Sequence, residues 1–275
     1  MKGDSLGDRM KNYYESVYKI RLPRRIPLII RVDGRSFHTY TRMCKKPFDK
    51  NLSDLMDETA KYLCEHIQDA QLAYVQSDEI SIFVHDYKSL VSEAFFDKEI
   101  QKICSVVSGM ASAFFTSKSW KLFIDENPID VYPGNFRDIL TLNRIAVFDT
   151  RCFVLPENEL CNYFIWRQQD ATRNSIQMQA RALYSHSECN NKNQSDLQEM
   201  IHQKGQNWND TPTGFKRGRC IYKKEVSIPV TGDFGSEEAT QIVRPQWTID
   251  QEIPIFTADR NFIERHLEVN KEVTK

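Results

Sequence analysis

Residues 72–84 read Leu-Ala-Tyr-Val-Gln-Ser-Asp-Glu-Ile-Ser-Ile-Phe-Val: two β-prone runs, Leu72 to Gln76 and Ile80 to Val84, joined by the polar tip Ser77-Asp78-Glu79. Aromatic and β-branched residues on both sides of a short polar break predict a hairpin. Upstream, Ile26 to Val32 is a second β-branched run, and Asp33-Gly34 stops it with a turn signal. Between the two, Leu52, Leu55, Met56, Leu63 and Ile67 recur at helical spacing and predict an amphipathic helix over Asp49 to Ile67. Downstream, Ile100, Cys104, Val107, Ala111 and Phe114 mark another helix, and a strand follows at about Phe148 to Leu155.

The order is therefore strand, helix, strand, strand, helix, strand. That is the split βαβ, or ferredoxin-like, unit. It predicts an α+β fold with helices on one face of the sheet, spread over residues 26–155. In this topology the first two strands run parallel with the third between them. The hairpin tip then lies at the same edge as the carboxyl end of the first strand. Asp33 and Asp78, distant in sequence, would present carboxylates to one point, on strands about 4.8 Å apart. Converging hard oxygen donors suit Mg²⁺, which takes one or two carboxylates and keeps places for water and phosphate. Gly34, without a Cβ, lets its backbone carbonyl approach as a further ligand. The amides of Arg35 to His38 could line a phosphate nest.

The rest of the chain reads more loosely. Leu6, Met10, Tyr13, Val17 and Ile20 fit an N-terminal helix. A long helical pattern runs from Pro156 to about Tyr184, residues 188–196 read as a mobile loop, and Ser195 opens a short helix ending at Lys204-Gly205. Arg219 to Val230 and Gln241 to Ile249 look like a long hairpin, and Thr257 caps a final helix to about Leu267. This divides the chain into an N-terminal helix and core, 1–155, and a helix-and-hairpin extension, 156–275.

Composition narrows the function classes. The 275 residues are 40% hydrophobic and 27% charged, which excludes collagen-like and wholly disordered chains. No run approaches the roughly 18 apolar residues of a membrane span, so no membrane partner is expected. A signal or transit segment is not expected either, and seven cysteines without a Cys-x-x-Cys read as reduced thiols. The expected compartment is the cytoplasm, with the mitochondrion as the alternative. Thirty-seven basic against 38 acidic residues give a net charge of −1, so a nucleic-acid partner would need local basic patches. Such clusters occur at Arg21, Arg24 and Arg25, at Arg42, Lys45 and Lys46, and at Lys216, Arg217, Arg219, Lys223 and Lys224. Arg31 beside Asp33, with Lys98 and Lys102 on the second helix, could cradle a triphosphate.

Several stretches taken in order resemble one known family. Asp33-Gly34-Arg35-Ser36-Phe37-His38, Lys46-Pro47-x-Asp49, Gln76-Ser77-Asp78-Glu79, Trp166-Arg167-Gln168-x-Asp170 and Lys216-x-Gly218 are similar to motifs of the tRNA-histidine guanylyltransferase superfamily. The resemblance implies a polymerase-like palm and a reverse, 3′-to-5′ polymerase that adds nucleotides to tRNA 5′ ends. ATP would adenylylate the 5′-monophosphate, and the 3′-hydroxyl of GTP or another NTP would then displace AMP with two Mg²⁺ ions in attendance. By the same resemblance Asp33, Asp78 and the Gly34 carbonyl would bind metal. Glu79 would support them, and Ser77 and Lys46 would assist activation. Gly34 to His38 would hold triphosphate, with Asp49 near the base. Arg173, Asn174, Lys204, Lys216, Arg217 and Arg219 would meet RNA, and the protein would assemble as a homotetramer.

One departure decides between branches. Histidine-specific members carry His-Ile-Asn-Asn where this chain has Thr172-Arg173-Asn174-Ser175. That pattern resembles the guanylyltransferase-like branch, which repairs 5′-truncated tRNAs on a template. Non-templated guanosine addition to tRNA-His is the alternative within the family. A non-catalytic tRNA chaperone and a nucleotidyl cyclase are the readings from other classes.

Overall fold

Strand pairing sets the architecture. In a computed structural model, which describes residues 5–126, 145–230 and 240–266, six strands form one antiparallel-paired sheet in the order β4-β1-β3-β2-β5-β6. They are β1 Leu28–Gly34, β2 Ala70–Gln76, β3 Glu79–Val84, β4 Phe148–Val154, β5 Arg219–Val230 and β6 Thr240–Asp250. Because β3 pairs antiparallel with both β1 and β2, those two run parallel. The register puts Asp33 of β1 opposite Glu79 of β3 and Asp149 of β4. β5 joins the β2 edge, Leu72 to Val75 against Tyr222 to Arg219, so the late hairpin extends the same sheet.

The helices among the described residues, in chain order, are α1 Leu6–Met10, α2 Phe37–Tyr40, α3 Lys50–His66, α4 Ile100–Glu126, α5 Glu157–Leu183, α6 His186–Cys189, α7 Gln194–Gln203, α8 Thr213–Arg217 and α9 Asn261–Glu264. Strand alternation sorts the side chains. Leu28, Ile30, Val32, Ala73, Val75, Ile80 and Ile82 share a core with Met56, Leu63, Ile103, Val107 and Phe115 of α3 and α4. Ile29, Leu72, Tyr74 and Phe83 face the other way, onto Leu160, Phe164, Phe256 and Phe262. The expectation of helices on one face thus holds for α3 and α4, while α5 and the C-terminal segment cover the second face. Arg31, Glu79 and Ser81 alternate with the first set and therefore lie on the α5 face. No helix among the described residues is long and apolar enough to cross a membrane.

Three expected elements differ. The N-terminal periodicity gives only α1, then a wide turn over Lys11–Glu15 and a 3₁₀ turn over Ser16–Tyr18, because its apolar side chains find no core: Leu6, Tyr13, Val17 and Ile20 are all exposed. The expected mobile loop at 188–196 holds the end of α6 and the start of α7, each helix opened by a reciprocal cap, Ser185 with Glu188 and Asn193 with Asp196. Thr257 opens a turn rather than a helix. The final helix is the short α9, whose Phe262 and Ile263 are buried, and Leu267 lies outside the described residues.

Candidate active site

β1 ends where the β2–β3 hairpin turns, and a backbone hydrogen bond ties the two: the Gly34 amide donates to the Asp78 carbonyl at 3.0 Å. Ser77 makes the turn with a positive φ of 47°. Asp33 and Asp78 therefore share one edge. Burial raises the Asp78 carboxyl above its ordinary range, and the charges of Asp33 and Glu79 push it further up, against pulls from its own amide and the Ser77 hydroxyl. Gly34 has no room for a side chain. A Cβ there would sit 2.4 Å from the Phe37 ring, which is wedged against Tyr40, Phe115 and Phe148.

Behind these acids runs a chain of ion pairs on the α5 face. Arg31 contacts Glu79 at 2.6 Å and Asp33 at 3.3 Å. Arg167 of α5 contacts Glu79 at 2.9 Å and Asp170 at 2.9 Å, and stacks on Trp166, 3.8 Å from its ring centre. Asp170 also accepts from Arg173 at 3.1 Å and from Asn174 at 3.5 Å. Gln168 fixes the C-terminal segment, donating to the Pro254 carbonyl and accepting from the Phe256 amide.

Two clefts meet at this edge. One, about 320 Å³, is lined by Arg31, Asp33, Gln76, Ser77, Asp78, Glu79, Asp170, Asn174, Gln177, Met178 and Arg181. The other, about 620 Å³, is lined by Gly34, Ser36, Phe37, His38, Lys45, Lys46, Asp49 and again by Ser77, Asp78, Met178 and Arg181. The first is rich in acids and the second in cations. Ser36 has φ +56° and starts α2, whose first accepted bonds run from Thr39 and Tyr40 back to the Ser36 carbonyl. The Phe37 and His38 amides precede those bonds and are left as donors. Asp49 caps α3, accepting from Leu52 at 3.1 Å and from the Lys45 amide at 2.9 Å. Lys46 donates to the Thr41 carbonyl at 3.1 Å.

Several expected contacts are corrected. The Arg35 amide leaves the phosphate nest because it donates to the Val147 carbonyl at 2.8 Å. Arg31 is occupied by acids rather than offered to a triphosphate. Lys98 is buried at the other end of β1, where its ammonium is held by the carbonyls of Pro23 and Ile26 and by Asp86 at 2.9 Å. Lys102 lies over Phe96 beside it. Arg219 is 3% exposed and pairs with the buried Asp57 at 2.7 Å. Lys216 is buried against Trp208 and donates to the Asn209 carbonyl. Lys98, Arg219 and Lys216 are buried cations with partners inside the protein, while Lys102 is exposed. Arg217 is half-buried and its carbonyl accepts from Tyr74, while Lys204 is exposed beside Tyr184. Arg167, Asp170 and Arg181 join the site without a role expected from the sequence; the Trp-Arg-Gln-x-Asp motif is the signal for the first two.

The donor set at the edge fits Mg²⁺. No group of three or more His, Cys, Asp or Glu among the described residues is placed to hold a metal. Two carboxylates and a backbone carbonyl leave the water and phosphate positions that Mg²⁺ retains.

Comparison with known proteins assigns the lineage. The family model described as tRNAHis guanylyltransferase, Thg1, matches residues 7–156, more than half of the chain. This chain belongs to the tRNAHis guanylyltransferase family. The family is one of nucleotidyltransferases. A bacterial tRNA(His) guanylyltransferase (Thg1)-like protein solved in complex with ATP is 40% identical, covers 97% of this chain and 100% of its own, and superposes with a TM-score of 0.78. A structure of such a bacterial protein with GTP is likewise 40% identical, covering 96% and 99%, with a TM-score of 0.72. The Arabidopsis thaliana tRNA(His) guanylyltransferase 1 is 26% identical over 88% of this chain and 42% of its own length, so the chain spans less than half of that relative.

Proposed function

We propose that this family member extends tRNA 5′ ends in the 3′-to-5′ direction. ATP adenylylates a 5′-monophosphate and releases pyrophosphate; the 3′-hydroxyl of an incoming NTP then attacks the activated end and AMP leaves. The observation that carries the reading is the shared edge of Asp33 and Asp78, open to a cationic cleft on one side and an acidic cleft on the other. The nucleotide complexes of the 40%-identical bacterial proteins support the choice of ATP and GTP as substrates. The β4-β1-β3-β2 order with both acids at one edge supports a polymerase-like palm.

Asp33, Asp78 and the Gly34 carbonyl would hold two Mg²⁺ ions. Bound there, the metal supplies charge neutralisation at the attacking and leaving oxygens of an in-line displacement. The chain's own residues do the rest. Phe37 and His38 amides, His38 and Lys46 hold the triphosphate in the larger cleft. Ser77 orients Asp78. Glu79 holds Arg31 and Arg167 in place and so keeps Arg31 partly off Asp33. The segment 156–275 serves RNA binding and assembly, with a homotetramer expected.

Within the family we favour templated repair of 5′-truncated tRNAs. Position 172 carries Thr and no imidazole. Ser175 is buried, accepting from Trp208 at 2.8 Å, so it is withdrawn from RNA, and Arg173 is engaged by Asp170. Asn174 alone of the four lines the acidic cleft. The names of the curated relatives favour the second reading, guanosine addition to tRNA-His. The test supplies ATP, all four NTPs and Mg²⁺ to two RNAs: a tRNA missing its 5′ nucleotide opposite a C, and a tRNA-His missing only the extra guanosine. Repair predicts faster extension of the first. Preference for the second reverses the branch assignment, and binding without any extension on either supports a tRNA chaperone instead.

A further inference from the structure

α5 outruns the sheet. Leu160 and Phe164 pack beneath it and Arg167 meets Glu79 at its edge, yet the helix continues to Leu183. Fourteen residues separate Arg167 from Arg181, roughly 21 Å of helix at 1.5 Å per residue. Asn174, Met178 and Arg181 follow at helical spacing on the face that overhangs the site. Arg181 lines the acidic cleft, the cationic cleft and a third, polar pocket of about 170 Å³ shared with His186 and Lys192. It stands where all three meet.

The cations of the acidic cleft are not equivalent. Arg31 is held by Glu79 and Asp33. Arg181 is exposed and forms no ion pair or hydrogen bond among the described residues. An anion entering beside Asp33, Asp78 and Asp170 meets three carboxylates, and Arg181 is the guanidinium lining that cleft with no acid partner. The larger cleft has its own cations in Lys45 and Lys46. A triphosphate there leaves Arg181 to a second phosphate that arrives from the acidic side.

We propose that Arg181 grips the 5′-terminal phosphate of the RNA at the junction of the two clefts, with the following backbone phosphates running toward His186 and Lys192. This rests on the reading of the chain as a 5′-end nucleotidyltransferase. The guanidinium fork matches two phosphate oxygens, which a lysine ammonium cannot do.

The test measures binding of one truncated tRNA carrying either a 5′-phosphate or a 5′-hydroxyl, in nucleotide-free buffer, to wild type, Arg181→Met and Arg181→Lys. Steady-state KM values for RNA and ATP are measured alongside. Wild type should bind the phosphorylated RNA about tenfold tighter, the scale of a charge-assisted hydrogen bond. Arg181→Met should lose that preference and raise the KM for RNA about tenfold with the KM for ATP unchanged, and Arg181→Lys should recover only part. A Met variant that keeps the phosphate preference overturns the proposal, and so does a rise confined to the KM for ATP. A role limited to the C-terminal end of α5 would lower the melting temperature and leave the phosphate preference intact, which also refutes it. If wild type extends no RNA, the functional reading falls, while the binding comparison still decides the role of Arg181.

Discussion

Glu79→Gln tests whether the ion-pair chain holds the site together. The Glu79 carboxylate is 2.6 Å from Arg31 and 2.9 Å from Arg167, with Gln76 and Ser81 each donating to it at 3.4 Å. Its side chain is 8% exposed and that of Arg167 4%. An amide keeps the shape but removes the charge and turns one acceptor into a donor facing a guanidinium. Breaking a buried pair by removing one partner costs about 3–5 kcal/mol, because the other charge is left uncompensated. Here Arg167 retains Asp170 and Arg31 retains Asp33, so the expected loss is at the low end, about 3 kcal/mol. For a chain of this size that lowers the melting temperature by roughly 6–12 °C. Urea unfolding at pH 7 measures it, with the slope unchanged. Adding Arg167→Met removes the cation left facing the amide, so the double variant should lose less than the sum of the singles, by at least about 1 kcal/mol. Arg31, released from Glu79, should close on Asp33 and raise the Mg²⁺ concentration needed for half-maximal extension. A loss below about 1 kcal/mol, or strict additivity in the double variant, would refute the reasoning.

Other substitutions separate site from scaffold. Asp33→Asn should abolish RNA extension with the circular dichroism spectrum unchanged; wild-type-like turnover would remove it from the metal set. Asp78→Asn should abolish extension too, yet stabilise the metal-free chain at pH 7. The folded state holds the Asp78 proton more tightly than the unfolded one, so the cost of ionising it is absent below about pH 4 and fully present above the raised folded value. The thermal advantage of Asp78→Asn should therefore vanish as pH falls toward 4, and a variant that melts lower than wild type at pH 7 contradicts the assignment. Gly34→Ala should cost about 1–3 kcal/mol, the usual range for overpacking, since the Phe37 ring it meets is itself wedged by three aromatic neighbours; Phe37→Leu on top should return part of that loss in urea unfolding.

The sheet edge was legible because it depends on local pattern and topology. Alternating apolar runs, one Asp-Gly stop and the polar tip Ser77-Asp78-Glu79 are enough to bring Asp33 and Asp78 to one edge. The cations were not legible, because what occupies a cation is set by partners far away in sequence. Lys98 finds Asp86 12 residues off, Arg219 finds Asp57 162 residues off, and Arg167 finds Glu79 88 residues off. By composition alone Lys98 and Arg219 look the same as Arg181. The difference arises only in the folded chain: the segment before β1 and Asp86 enclose Lys98, the pairing of β5 with β2 encloses Arg219, and α5 leaves Arg181 over the clefts.

That distribution explains how a chain of net charge −1 can approach a polyanion. Asp57, Asp86 and Glu79 are each held by a buried or half-buried cation, so these acids and their partners cancel inside the protein and contribute little field at the surface. Asp33 and Asp78 are different. Arg31 reaches Asp33 only at 3.3 Å while holding Glu79 more closely, and no ion pair forms at Asp78 among the described residues. At the edge where the two clefts meet, Asp78 has no ion pair and Asp33 only a long one, and Arg181, like Lys45 and Lys46 of the larger cleft, has no acid partner among the described residues. An arrangement built for stability alone would pair them. Leaving Asp78 and Arg181 without ion-pair partners around one cleft instead raises the energy of the empty site, which is the charge pattern expected if a divalent cation and a phosphate fill it, as proposed above.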